Sequence, residues 1–171
     1  MKLISIFILM IISSTLKLED TELATLRKLY YEAADNKQSV KKLSTMLSKV
    51  NEHSSALLLG YKGAAEMMEA KHAFSPISKI KKFNKGKVHL EKAIKKDPKQ
   101  IEVRFIRFSI QTNLPFFLGY NDHIKIDKEI LINSVSKIED KQLKNNIIEY
   151  LIISKQCDQE EIKKLKNWQK T

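Results

Sequence analysis

Residues 54–114 have the sequence SSALLLGYKGAAEMMEAKHAFSPISKIKKFNKGKVHLEKAIKKDPKQIEVRFIRFSIQTNL, in which two long amphipathic patterns meet at Asp97-Pro98. Leu90 lies on the apolar face of the first pattern and Phe105 on that of the second, both at helical spacing. Because the α-helical region is disfavoured for a residue that precedes proline, the first helix should end before Pro98. Asp97 can cap a following helix with Pro98 in its first turn, so the stretch predicts a helical hairpin.

The same periodicity continues through most of the chain. Only four glycines and three prolines occur in 171 residues, and apolar positions recur at helical spacing after Leu18. The pattern predicts an all-α fold of antiparallel helical hairpins in one domain. The predicted helices cover about residues 21–34, 39–50, 54–71, 76–96, 98–112, 122–137, 140–154 and 158–169.

Two of these helices carry further signals. Gly60 and Gly63 lie about one turn apart in the third helix, where each costs up to about 1 kcal/mol of helix stability relative to alanine. Such a cost is usually offset by close approach of a neighbouring helix, so this helix is expected to be deeply buried. The fourth helix should begin with Ser75 as cap and Pro76 at its first position. Its expected buried face is Ile80, Phe83, Leu90 and Ile94.

The segment 86–98, GKVHLEKAIKKDP, resembles the second helix of a tetratricopeptide repeat. The matching positions are Gly86, Leu90, Ala93 and Pro98, with Leu59-Gly60 similar to the corresponding pair of the preceding helix. The resemblance covers one hairpin, and the remaining helices are interpreted as generic pairs. It implies a short right-handed solenoid or bundle of stacked hairpins, and a role as a protein-interaction scaffold.

The N-terminus has the layout of a secretory signal peptide. Lys2 precedes an apolar run over residues 3–12, and the small residues Ser13, Ser14 and Thr15 follow. A transmembrane helix needs about 20 apolar residues, more than this run contains. We expect a signal peptide at 1–18, a single domain at 19–171, and an exported, periplasmic or extracellular protein. The alternatives are an uncleaved membrane anchor and an ordinary buried helix.

Catalytic patterns are weak throughout the sequence. Glu66, Glu69 and His72 share one helix face, but a carboxylate-bridged metal pair needs a second Glu-x-x-His and two further glutamates. The single cysteine, Cys157, has no histidine nearby in the sequence, and no serine lies in a Gly-x-Ser-x-Gly turn. We therefore predict no catalytic residue, no metal and no cofactor, and a protein that acts by binding.

The chain is strongly basic, with 31 Lys and Arg against 20 Asp and Glu and a formal net charge of +11. Only three of the basic residues are arginine, and lysine lacks the planar fork that reads bases, which argues against specific nucleic-acid recognition. The lysine-rich fourth helix is a candidate surface for an anionic polymer or lipid headgroups, the alternative being a solvated face. The residues proposed for it are Lys79, Lys81, Lys82 and Lys85.

The preferred hypothesis is a groove on the fifth helix that binds another protein of the bacterial envelope or periplasm. Its candidate contacts are Arg104, Arg107 and Gln111, together with Phe116 and Phe117 in the apolar loop that follows. The loop aromatics have two interpretations. They are expected to fold back onto the helices that the loop joins, and the alternative is a hydrophobic tip that binds a partner.

Overall fold

The computed structural model describes residues 20–169, which form eight α-helices and no β-strand. The helices are α1 (Asp20–Ala33), α2 (Lys37–Met46), α3 (Ala56–Lys71), α4 (Pro76–Lys96), α5 (Ile101–Asn113), α6 (Ile124–Val135), α7 (Lys141–Ile153) and α8 (Gln159–Gln169). A short 3-10 helix, Phe116–Leu118, lies between α5 and α6. The all-α prediction is thereby confirmed, whereas the proposed signal peptide lies outside the described residues. Within those residues, no helix combines the length and the apolar character needed to cross a membrane.

Local capping signals define several helix ends. The Ser75 hydroxyl accepts a hydrogen bond from the Ser78 N–H at 3.2 Å, and Pro76 is the first residue of α4. At α8, the Glu161 N–H donates to Asp158 and the Asp158 N–H donates back to Glu161, at 2.8 and 2.9 Å. This reciprocal pair is a capping box, which satisfies N–H groups that have no partner within the helix.

The predicted start of α5 is wrong. Asp97 does not cap α5; its carboxylate accepts from the Lys99 N–H at 3.0 Å and forms a turn that contains Pro98. The helix begins at Ile101, and the Gln100 side chain accepts from the Glu102 N–H at 3.3 Å. An aspartate bonded to the backbone two residues ahead favours a turn, which explains why four residues separate α4 from α5.

The closest helix contact joins α3 and α4. A Cβ atom on Gly63 would lie 2.7 Å from both the Gly86 carbonyl oxygen and the Leu90 nitrogen, so only glycine fits there. Antiparallel pairing is evident from the ion pairs that flank this point, Glu69 with Lys82 and Glu66 with Lys85. The close approach predicted from the glycines is therefore present. Whether such hairpins stack as a solenoid stays a prediction.

Two hydrophobic clusters share α5. The first combines α1 to α4 with Val103 and Ile106 of α5, and the second combines α6 to α8 with Phe105 and Phe108 of α5. Nearly the whole of α5 between Glu102 and Gln111 is buried as a result. It is the central helix of the described structure, and its neighbours must also accommodate its charged side chains.

Gly63→Ala should lower the free energy of unfolding by about 1–2 kcal/mol, because the added methyl group meets backbone atoms of α4. Gly60→Ala is the matched control, since its Cβ would meet only the Val103 methyl groups, at 3.1 Å. Both variants gain about the same helix propensity. Urea unfolding followed by circular dichroism measures the difference. Equal stability of the two variants would contradict the backbone contact described above.

Candidate functional site

The arginines proposed for partner binding lie inside the fold. Arg104 donates to Asp127 of α6 at 2.8 Å, and Arg107 donates to both oxygens of the same carboxylate at 2.7 and 2.9 Å. The Asp127 side chain is 0 % exposed and the two arginine side chains are 10 % and 3 % exposed. These residues join α5 to α6 in the interior of the described structure.

The same network extends to α4 and to the loop before α6. Arg107 also donates to Glu91 at 2.7 Å, and the Tyr120 hydroxyl donates to the second oxygen of Glu91. Burial, followed by the contact with Glu91, raises the pKa of Tyr120 well above its ordinary value. Gln111 is 2 % exposed, and its side-chain oxygen accepts from the His123 N–H at 3.2 Å. The proposed groove residues Arg104, Arg107 and Gln111 are therefore corrected to interior contacts.

A second buried network connects α1, α3 and α5 with Asp140, the N-cap residue of α7. Arg27 donates through two nitrogens to the two oxygens of Glu102, each at 2.7 Å, and through a third to Asp140 at 2.6 Å. The Tyr61 hydroxyl also donates to Glu102. The hydrogen bonds and charge of Glu102 and Asp140 raise the pKa of Arg27 despite its burial. Sequence reasoning missed this network; its available signal was Glu102 within the apolar pattern of α5.

The loop aromatics are exposed. Phe116 and Phe117 are 82 % and 83 % accessible, so the expectation that they fold back onto the helices is wrong. Gly119 ends the 3-10 helix in the left-handed conformation, at φ 58°, which glycine adopts without strain. Tyr120 is instead the loop aromatic that packs inward. The exposure agrees with the alternative, a hydrophobic tip, and binding of a partner by this tip stays a prediction.

Phe117 forms part of an apolar groove with a volume of about 980 Å³. Its floor consists of buried side chains from α1, α3 and α5, namely Tyr30, Ala64, Met67, Phe105 and Ser109. Ile80 and Phe83 of α4 line one part of it. The loop after α5 contributes another part through Leu114, Pro115, Phe117 and Leu118, whereas Phe116 does not line it. Such dimensions and lining are typical of sites that bind apolar groups.

Ile80 was expected to be buried, yet it is 59 % exposed. The reason is the unequal length of the hairpin helices, since α4 has 21 residues and α3 has 16. Lys82 lies level with Glu69, near the C-terminal end of α3. The first turn of α4 therefore extends beyond the last residue of α3. Phe74 and Ile77, which precede Ile80 at three-residue spacing, are exposed as well.

The four lysines proposed for polyanion binding have different surroundings. Lys82 pairs with Glu69 at 2.5 Å and Lys85 pairs with Glu66 at 2.9 Å, so both charges are compensated by α3. Lys79 and Lys81 are exposed, and neither forms an ion pair within residues 20–169. Lys79 also lines the groove. The strongest uncompensated charge of the four therefore lies at Lys79 and Lys81.

The side chains considered for a metal are used in other contacts. Glu66 forms an ion pair with Lys85 and contacts His89 Nδ1 at 2.6 Å, while Glu69 accepts hydrogen bonds from Ser44 and Lys82. No group of three His, Cys, Asp or Glu residues in the described part of the chain could hold a metal ion.

Burial, with the nearby Glu161 charge, raises the pKa of the Cys157 thiol to about 11.

No protein-family model, no curated protein and no solved structure matches this chain. The groove is therefore characterised by its own geometry. Its distinguishing features are a buried apolar floor, exposed apolar side chains at its margin, and a lysine beside them.

Asp127→Asn should lower the free energy of unfolding by about 3–5 kcal/mol, because the buried Arg104 loses its carboxylate partner and the buried Arg107 keeps only Glu91. Glu52→Gln, which removes the partner of Lys92 at the surface, should change stability little. Urea unfolding at neutral pH compares the two variants with the unchanged protein. An Asp127→Asn protein as stable as the Glu52→Gln control would contradict the assigned role of Asp127.

Asp140→Asn should make the free energy of unfolding depend less steeply on pH at acidic pH. Burial favours the neutral form of Asp140, but the hydrogen bonds from the Leu143 N–H and Arg27 outweigh it and lower the pKa. A carboxylate with a lowered pKa stabilises the fold above its unfolded pKa of about 3.9, and this stabilisation is lost as pH falls through the folded pKa. Asparagine can still cap α7 but does not titrate. Between about pH 5 and 3, the free energy of unfolding should fall less in the variant than in the unchanged protein. An equal fall in both proteins would contradict this assignment.

Proposed function

We propose that this protein acts by binding, and that the apolar groove receives an apolar segment of a partner protein. The observation that carries the proposal is the exposure of Ile80 and Phe117 at the margin of a groove whose floor is already apolar. Burial of apolar surface contributes roughly 25 cal/mol per Å², and exposed patches of this kind commonly mark interaction sites. The exposed side chains and the buried floor together offer such a surface.

The polar groups on the floor support binding of an apolar group. The Tyr30 hydroxyl and the Ser109 hydroxyl are 2.8 Å apart and hydrogen-bond each other. The ordinary pKa of tyrosine, about 10, already keeps this hydroxyl protonated at neutral pH, and burial raises the pKa of Tyr30 further. An apolar occupant would leave this pair satisfied, because neither hydroxyl depends on the occupant for a partner.

The proposed partner is another protein of the bacterial envelope or periplasm. This location rests on the signal-peptide pattern of residues 1–18. The scaffold role rests on the tetratricopeptide-like segment and on the binding surface just described. A partner that engages this groove would contact α4 and the loop after α5, and would leave Arg104, Arg107 and Gln111 in the interior.

A second candidate function is binding of an anionic polymer or lipid headgroups by α4. The exposed Lys79 and Lys81 favour it, as does the net charge of +11. The ion pairs of Lys82 and Lys85 with α3 weaken it, because half of the proposed set is already compensated. Salt separates the two functions, since binding to a polyanion weakens steeply with ionic strength and apolar contact does not.

A photo-crosslinking amino acid placed at position 117 should join the groove to its partner. The amino acid replaces Phe117 in the full chain, expressed in its native cell. Irradiation should then yield a discrete adduct that contains a second polypeptide. The same amino acid in place of Ile153, which is 69 % exposed on α7 and does not line the groove, is the matched control. Mass spectrometry identifies the adducts. Identical adducts from both positions, or none from position 117, would refute the proposed function.

A further inference from the structure

We infer that the segment accepted by the groove is an amphipathic α-helix that carries acidic residues beside its apolar face. This inference rests on the function proposed above and specifies the chemistry of the partner. Two independent properties of the groove lead to it: the absence of a strand edge within residues 20–169, and the charge at its margin.

The first property concerns the backbone of the occupant. An extended segment needs partners for its N–H and C=O groups, which a sheet edge supplies in strand addition. The groove is lined by α1, α3, α4, α5, α7 and the loop after α5, and residues 20–169 contain no strand. On its floor the Tyr30 and Ser109 hydroxyls already bond each other. A helix satisfies its own backbone and presents only side chains, so it is the occupant that costs least to desolvate.

The size of the groove agrees with insertion of side chains from one helix face. Its volume of about 980 Å³ is near the upper end of ordinary ligand pockets. A helix that binds in this way inserts apolar residues at positions i, i+3, i+4 and i+7. Met67 and Met68 of α3 line the groove, and the flexible thioether side chain adapts to partners of different shape.

The second property is the charge at the margin. Lys79 lines the groove, is exposed, and has no ion-pair partner within the described residues. Lys71 also lines it and lies 3.5 Å from Asp35, with both side chains largely exposed to solvent. The two lysines exceed the one aspartate, within a chain whose formal net charge is +11. Acidic residues on the partner would therefore be attracted, and basic residues repelled, as the two proteins approach.

Three synthetic peptides test the inference on the full chain. All carry leucine at positions i, i+3, i+4 and i+7, and they differ only in flanking residues, which are all Glu, all Gln or all Lys. These three residues have similar helix propensities, so the peptides differ mainly in charge. Fluorescence anisotropy should give the Glu peptide an affinity at least about fivefold higher than the Lys peptide at low salt. The ratio should approach one near 0.5 M salt.

Paired variants assign the effect to the groove. Lys79→Glu should reverse the preference between the Glu and Lys peptides, whereas Lys95→Glu, an identical charge change at an exposed site later on α4 that does not line the groove, should not. Ile80→Ser should weaken the binding of all three peptides equally, and Ile153→Ser should leave their affinities unchanged. Equal affinities for the Glu and Lys peptides, or equal effects of the two lysine variants, would overturn the acidic character of the partner.

The helical character has its own test. Substitution of proline at the centre of the Glu peptide should abolish its binding, because proline breaks the helix and leaves the composition almost unchanged. Unaltered binding would overturn the helix. Either of these failures can occur while the crosslink at position 117 is still formed, so they are distinguishable from failure of the proposed function. Absence of both peptide binding and the crosslink would overturn the two together.

Discussion

Burial of three charged side chains on α5 is the constraint on which the arrangement of the other helices depends. Glu102, Arg104 and Arg107 lie on a helix that contacts both hydrophobic clusters, so all three are largely removed from solvent. A buried charge costs several kcal/mol unless it is paired and hydrogen-bonded. The partners come from other helices, Arg27 from α1 and Asp127 from α6. The ion pairs of Glu102 and Asp127 with their arginines therefore constrain where α1 and α6 lie relative to α5.

The groove is a consequence of the same arrangement. Phe105 and Ser109 of α5 form part of its floor, and the close contact of Gly63 with Gly86 holds α3 against α4 beside them. Because α4 is longer than α3, its N-terminal end extends beyond α3, and Ile80, level with the end of α3, lies exposed beside this floor. Rigid packing underneath and exposed apolar side chains at the margin are a combination suited to binding, since little ordering of the protein is then required.

Charge has two separate uses along α4. Lys82 and Lys85 pair with glutamates of α3 and so belong to the hairpin, whereas Lys79 lies at the groove without an acidic partner in the described residues. Exposed ion pairs add little to stability, typically below about 1 kcal/mol. An uncompensated charge beside an apolar surface can nevertheless influence which partners approach and how fast. The acidic amphipathic helix proposed as the partner follows from this division.

The sequence by itself determined the helices and most of their ends, because capping, proline and periodicity act over a few neighbouring residues. It also indicated the close helix approach at Gly63, since a helical glycine costs stability unless a neighbour needs the space. Only the tertiary structure decided that Arg104 and Arg107 are interior while Phe117 is exposed. Those outcomes depend on partners distant along the chain and on the relative lengths of packed helices. Local sequence patterns contain neither the distant partners nor the relative positions of packed helices. The groove could therefore not be located from the sequence.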